Sequence, residues 1–202
     1  MNELAYTTEP IDEKRSKGPS NTFLNCDVRY FNWDLFAEEV GKFDVMIIDP
    51  PWRIKGAQKN DSQFMFSNCK FSLEYNTMSN HEIKQLPLHT ISDEGFIFLW
   101  ILNTQLNSSL EIMQSWGYEL VEELVWVKLR NEKIYLTHGY YFMHSYEICL
   151  VGYKNKRKDG KSMSLRGGIN PNVIFGEVRK KSQKPEDIYT LIEMMFKGKR
   201  KI

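Results

Sequence analysis

The residues with the clearest chemical capacity are Asp49-Pro50-Pro51-Trp52, which directly follow the apolar run Val45-Met46-Ile47-Ile48. That run is β-branched and too short for a helix, so it predicts a buried strand. An acid at the carboxyl end of such a strand sits where open α/β sheets bind ligands. Pro50 and Pro51 lack an N–H and fix φ, so strand pairing stops there and the backbone becomes a stiff ledge. Trp52 is expected to offer a flat face beside the Asp49 carboxylate and the carbonyls of Asp49 and Pro50. Such a set suits the grip of a planar base that carries an exocyclic amine. The carboxylate and a carbonyl each accept one amine hydrogen, and the ring stacks on the base. Drawing both hydrogens out of the ring plane localises the nitrogen lone pair and makes it nucleophilic toward an electrophilic methyl group. The plainer alternative is a strand-ending turn, since Asp-Pro is a common turn former. The four-residue string is far more specific than that dipeptide.

Other polar residues carry weaker signals alone. His144-x-x-Glu147 has the spacing of a metal pair, but no third ligand or supporting motif accompanies it, so no metal site is expected. Cys26, Cys69 and Cys149 are odd in number and lack metal-type spacing, which points to a reducing compartment, cytosol or nucleus. Asp27 by itself reads as a turn former, Tyr75 as packing, and Lys184 as a solvated lysine. The guanidinium fork of Arg179 suits a phosphate or a target nucleotide. From Lys154 onward the chain has 14 basic and 5 acidic residues, against 13 and 21 before it, which the net charge of +1 conceals. A basic end of this kind fits a polyanion partner. Lys154, Lys156, Arg157, Lys158, Lys180 and Lys181 are expected to contact phosphates, fixing position without reading sequence.

The elements that must position these groups can be outlined. Residues 1–21 are polar and aperiodic and form a tail or linker; residues 22–202 make one domain of ordinary size. Asn25 to Tyr30 is expected as a short strand with Asp27 at a loop junction. Arg53 to Leu73 is polar and long enough for a functional loop. Ser79-Asn80-His81-Glu82 has capping-box form and should open a short helix ending before Pro87. Gly95 to Leu102 reads as a fully buried strand, and Leu106, Leu110 and Met113 as a helix face stopped by Gly117. Tyr118 to Leu129 predicts another strand, continuing into a hairpin-like excursion from Asn131 to Tyr141. Tyr135, Tyr140, Tyr141 and Phe142 crowd that excursion, and exposed aromatics in a connection point to a partner surface. Ile148 to Tyr153 and Val173 to Phe175 are expected strands. Pro185 opens a last helix with an apolar stripe of Ile188, Leu191, Ile192 and Met195. No signal-peptide core opens the chain, and the longest apolar run, Phe96 to Leu102, is far below the roughly 20 residues that span a bilayer. A soluble intracellular protein, without a membrane partner, is the expectation.

The chain resembles the eukaryotic N6-adenine methyltransferases from about Phe23 to Ile202. The resemblance is carried by Asp49-Pro50-Pro51-Trp52 together with Cys26-Asp27-Val28-Arg29-Tyr30, Tyr75-x-Thr77-Met78-Ser79, Gly95-Phe96-Ile97-Phe98-Leu99-Trp100, Trp126-Val127-Lys128, Cys149-Leu150-Val151-Gly152, Glu177-Val178-Arg179 and Lys184-Pro185-x-x-Ile188-Tyr189. It implies an α/β fold, Rossmann-like, with permuted motif order and a mostly parallel central sheet flanked by helices. It also implies S-adenosylmethionine as cofactor and methyl transfer to the exocyclic N6 amine of adenine in a polynucleotide. In that frame Asp49 and the Pro50 carbonyl orient the amine, and Pro51 and Trp52 hold the base. Asp27, Val28, Asp49 and Lys184 bind the cofactor, Lys184 through its methionine carboxylate. Tyr75, His144, Glu147 and Arg179 approach the target nucleoside. The expected partner is an inactive paralogous subunit docked on the aromatic excursion, with accessory DNA-binding proteins and a nuclear location. The long loop after Trp52 and the Lys/Asn-rich texture look more like the ciliate-type DNA enzymes, so DNA is the expected substrate and mRNA the alternative. The family's last cofactor-binding strand is expected beyond Lys199-Arg200-Lys201-Ile202, so these residues alone should bind cofactor poorly. Two other readings stand beside this one. A non-catalytic binding subunit usually loses the acid or the aromatic of the motif, which this chain keeps. An unrelated nucleotide-binding α/β enzyme would need a glycine-rich phosphate loop after a strand, and none is found.

Overall fold

The computed structural model describes residues 24–53, 76–137, 141–155, 163–168, 170–180 and 182–202. They fall into two units, Met1–Phe31 and Asn32–Ile202, which are taken separately.

In the first unit the strand expected over Asn25 to Tyr30 is instead a turn. The Asp27 carboxylate accepts from the Arg29 backbone N–H (3.0 Å) and from its guanidinium (2.6–3.2 Å), while the Tyr30 N–H donates to the Asp27 carbonyl at 3.1 Å. An aspartate that bonds its own backbone two residues on competes with strand pairing and wins here.

In the second unit the described residues hold α1 (Trp33–Val40), β1 (Val45–Ile48), α2 (Asn80–Lys84), β2 (Gly95–Ile101), α3 (Leu106–Ser115), β3 (Glu119–Arg130), β4 (Lys133–Ile134), β5 (Tyr146–Lys154), β6 (Val173–Glu177) and α4 (Asp187–Met195). The strands form one sheet in the order β1-β2-β5-β3-β4, with β6 beside β3. The α/β class holds, but among the described strands the sheet is mixed rather than mostly parallel. β1–β2 and β3–β6 run parallel, whereas β2–β5, β5–β3 and β3–β4 run antiparallel. The reason is β5, which returns from β3 through a short excursion, without a helix among its described residues, and inserts between β2 and β3. A connection without a crossover helix returns the chain antiparallel. At its other edge β1 is met by Arg200 to Ile202: the Ile47 N–H donates to the Ile202 carbonyl at 2.8 Å, and the Ile202 N–H to the Val45 carbonyl at 3.0 Å.

Alternation along the strands builds two faces. Phe96, Phe98 and Trp100 of β2 join Leu124, Trp126, Cys149, Val151 and Ile174 and are covered by Ile188, Ile192 and Phe196 at α4. The opposite face meets α3, where a Cβ on Gly152 would lie 2.9 Å from both Ile97 Cγ2 and Met113 Sδ. Helix and sheet approach closely there because position 152 lacks a side chain. The buried face of α3 is Ser109, Ile112 and Met113, with Leu106 turned outward, one step round from the expected stripe. Ser79 and Glu82 form the capping box of α2, and Gly117 ends α3 with φ +88°. Among the described residues no helix is long and apolar enough to cross a membrane.

Candidate active site

Because β5 runs against its neighbours, its amino end lies at the same sheet margin as the carboxyl ends of β1, β2 and β3: Ile101 faces Ile148 and Val127 faces Tyr146. Asp49, which follows β1, and Glu147, near the start of β5, are thereby brought to one place. Lys184 arrives from the segment before α4. Its Nζ lies 2.9 Å from Asp49 Oδ2 and 3.2 Å from Glu147 Oε2. Lys128 at the end of β3 completes the line, 2.8 Å from Glu147 Oε1. Four groups of alternating sign thus stand in a row, over a floor made by Trp100 and Trp126, whose rings meet edge-on at 6.3 Å. Lys184 stands 5.5 Å above the Trp100 ring and Lys128 5.7 Å above that of Trp126, distances at which a ring face attracts a cation.

The electrostatics follow from this packing. Crowding by protein raises the Asp49 carboxyl above the ordinary aspartate value; Lys184 pulls it back, and Glu147 adds to the rise. Burial also penalises the charge on Glu147, but Lys184 and Lys128 on either side outweigh it, so Glu147 is held below its usual range. Burial works against the Lys184 ammonium, and the Glu147 and Asp49 carboxylates overcome it, for a net upward shift. Asp49 is the most open member, with 42% of its side-chain surface exposed against 15% for Lys184. Its carboxylate is therefore accessible yet prone to take a proton, the combination that a group meeting an amine needs.

The ledge after Asp49 differs from expectation in one respect. Trp52 does not present a face: it is 4% exposed, and its indole N–H donates to the Trp100 carbonyl at 2.9 Å. Burying a large ring stabilises the ledge and an indole N–H seeks a partner when buried, so Trp52 anchors the ledge to the end of β2. The Pro50 carbonyl accepts the Trp52 N–H at 2.8 Å, and the Pro51 carbonyl accepts that of Met78 at 2.8 Å. Each carbonyl retains a second lone pair.

The other predicted residues are dispersed. Lys154 is not a phosphate contact: it ends β5 facing inward, 6% exposed, with Nζ on the Ser92 carbonyl at 3.0 Å and 5.3 Å from the Tyr118 ring. A long apolar stem with a satisfied head packs well inside, and Tyr118 beside it, its hydroxyl pushed up to about 12 by burial, donates to Ser92 Oγ at 3.0 Å. Arg179, though exposed, spends its fork on its own chain: Nη2 donates to the Lys184 carbonyl at 2.9 Å and Nη1 pairs with Glu186. His144 lies in the excursion, where its backbone N–H and carbonyl pair with Thr137 at 2.8 Å. Lys180 is exposed. Asp27 and Val28 belong to the first unit, where Arg29 holds the Asp27 carboxyl down at about 2. Tyr75, Tyr140, Lys156, Arg157, Lys158 and Lys181 lie outside the described residues.

Two members of the site were not foreseen. Lys128 had a readable sign, a lysine two residues after Trp126 at a strand end, but its acid partner depends on the β3–β5 register. Trp100 was expected only as strand core. Its indole nitrogen is buried without a partner among the described residues, a donor close to Lys184 that a ligand acceptor can satisfy.

Residues 43–202 match the MT-A70 family profile. The chain is 34% identical to a putative N(6)-adenosine-methyltransferase MT-A70-like protein of Medicago truncatula, over 96% of this chain and 29% of the relative. It is 34% identical to the N(6)-adenosine-methyltransferase catalytic subunit METTL3 of Homo sapiens, over 89% of this chain and 27% of the relative. It is also 29% identical to the N6-adenosine-methyltransferase non-catalytic subunit MTB of Arabidopsis thaliana, over 73% of this chain and 20% of that protein. The chain thus spans less than a third of the length of these relatives.

Proposed function

The chain belongs to the MT-A70 family, and on that premise we propose that it transfers a methyl group from S-adenosylmethionine to the exocyclic N6 of adenosine in RNA. The observation that carries the reading is the intact Asp49-Pro50-Pro51-Trp52 ledge, with the Asp49 carboxylate at the strand end, joined to Lys184 and Glu147. The expected preference for DNA is set aside, because the relatives described above are named as adenosine methyltransferases, and adenosine is the ribonucleoside.

The residues present fit such a cofactor. Lys184 supplies an ammonium for a carboxylate, Asp49 and Glu147 supply negative charge near a sulfonium, and the Trp100 N–H is a spare donor. When bound, S-adenosylmethionine supplies an electrophilic methyl on a positively charged sulfur. The chain's own work is positional. Asp49 accepts one hydrogen of the amine, and the free lone pair of the Pro50 carbonyl accepts the other. Lys184, which bridges Asp49 and Glu147, would exchange one of these carboxylates for that of the cofactor and so release Asp49 toward the amine. The methylated amine would have a proton to shed, and Asp49, its carboxyl already raised by crowding, would be the group beside it to take that proton. Catalysis is then orientation plus electrostatic matching. The target base must be unpaired or turned out of a helix for its amine to reach the methyl.

The exposed excursion supports a heteromer. Ile134, Leu136, Tyr141, Phe142 and Met143 are all at least half exposed there, and a partner that covers them would be a methyltransferase-like paralogue, as the likeness to a non-catalytic subunit favours. A nuclear location goes with this reading. The test is labelled-methyl transfer to matched RNA and DNA oligonucleotides, with the full-length protein and its co-purified partner. Transfer to RNA adenosine at N6 is expected. Transfer to DNA alone would overturn the substrate, and none to either would leave a binding subunit.

A further inference from the structure

The residues Glu177-Val178-Arg179, which end β6 and continue past it, hold two structures distant in sequence. On one side the Glu177 carboxylate accepts the backbone N–H of Asn131 at 3.2 Å and of Glu132 at 2.9 Å. These two residues form the turn between β3 and β4, with φ of +52° and +61°. Two successive positive φ values are the signature of a type I′ turn, in which Asn-Gly is the favoured pair. Glu132 is neither glycine nor asparagine, so the turn is costly by itself and relies on outside support. In the middle the Val178 N–H donates to the Leu129 carbonyl at 2.8 Å. On the other side Arg179 holds the Lys184 carbonyl at 2.9 Å and pairs with Glu186, bracketing Lys184-Pro185. The segment it closes also contains Ser182 at φ +63°, a second backbone position in need of restraint.

We propose that Glu177-Val178-Arg179 is a strut that ties the posture of Lys184 to the β3–β4 turn, so that an occupant of the exposed excursion is sensed at the active-site lysine. Glu177 and Arg179 are then positioning residues: one grips the turn, the other the carbonyl of the lysine that meets Asp49 and Glu147. The inference rests on the proposed function only in taking Lys184 as facing the cofactor and the excursion as the partner surface; the mechanical link itself does not depend on either. It also changes the expected role of Arg179 from contacting a nucleotide to aiming Lys184.

The link can be tested by amide hydrogen exchange on the full-length protein, reading peptides over 129–135 and 182–190 in the wild type, Glu177→Gln, and Glu177→Gln combined with Glu132→Gly. Loss of one carboxylate oxygen should loosen the turn and speed exchange in both peptides by roughly fivefold or more. Glu132→Gly creates the favoured Asn-Gly turn and should restore both without touching β6. If 129–135 loosens while 182–190 does not change, or if Glu132→Gly rescues only the turn, the strut is refuted. Should Glu177→Gln fail to fold, Glu132→Gly alone decides the matter, since a self-supporting turn should slow exchange over 182–190. Titration of S-adenosylmethionine on the same proteins separates the two readings. A wild type that binds no cofactor counts against the proposed function, while the exchange data still judge the strut. Equal cofactor affinity in wild type and Glu177→Gln counts against the strut alone.

Discussion

At the scale of single residues, the site depends on a carboxylate that is open to solvent yet raised, and on a lysine that is closed in yet charged. In the proposed reaction Asp49 is the acceptor of one amine hydrogen and the proton's destination, and Asp49→Ala removes both. Turnover should fall by roughly 100-fold or more, as when one preorganised electrostatic partner is lost, with the melting temperature little changed because Asp49 lies outside the core. Steady-state methyl transfer by the full-length protein measures this; near-normal turnover would sink the role given to the motif. Lys154 offers the opposite case. Its ammonium is bound to the Ser92 carbonyl and its stem lies against Gly117, whose would-be Cβ is 3.3 Å from Lys154 Cε. Lys154→Ala should therefore cost about 1–3 kcal/mol of stability, by leaving a buried acceptor unpaired. Its affinity for polynucleotide and the salt dependence of binding should stay those of the wild type. Denaturant unfolding and filter binding at several salt concentrations would distinguish this from a phosphate contact, whose loss flattens the salt slope without destabilising the fold.

At the scale of elements, the antiparallel insertion of β5 matters most. It carries Glu147 to the margin where β1 delivers Asp49, and the same detour leaves Ile134, Leu136, Phe142 and Met143 exposed in the excursion, whereas Tyr135 is half-buried with the Arg130 guanidinium 3.9 Å over its ring. Tyr141 and Phe142 are 85% and 81% exposed, so replacing both with Ser removes no packing from the sheet. The double variant should keep its melting temperature and lose partner association by roughly tenfold or more, as expected for aromatic anchors at the centre of an interface. Sedimentation of the co-expressed pair gives the answer, and unchanged association would place the partner elsewhere.

For the whole molecule, the row Asp49–Lys184–Glu147–Lys128 makes stability depend on pH in a defined direction. Glu147 is held below its ordinary value of 4.5. Its contribution is complete above that value and is lost as the pH falls through its lower folded value. Lys184 is raised above its ordinary 10.5, so its contribution is present below that value and fades as the pH rises through the folded one. Asp49, raised in the fold, works against Glu147 on the acid side and softens the loss. The wild type should thus lose more melting temperature between about pH 6 and about pH 3 than Glu147→Gln does. Parallel acid arms for the two proteins would mean that the Glu147 pairs contribute nothing to stability.

The sequence alone determined what depends on near neighbours in the chain. The run Val45 to Ile48 followed by Asp49-Pro50-Pro51 predicts a buried strand, its end and an acid at that end, because side-chain branching and the missing N–H groups of proline act within a few residues. The Ser79–Glu82 capping box, the stop at Gly117 and the stripe Ile188 to Met195 are local in the same sense, and each stands in the structure. What only the tertiary structure decided are the partners of charged groups. Lys154 and Lys184 are alike as letters, yet one is buried beneath Ser92 and the other joins two carboxylates 135 and 37 positions away in the chain. Lys128 becomes part of the site only through the β3–β5 register, and Trp52 turns inward because the Trp100 carbonyl stands ready for its N–H. A charge interacts through space and finds its partner by strand order, and strand order is a property of the whole sheet.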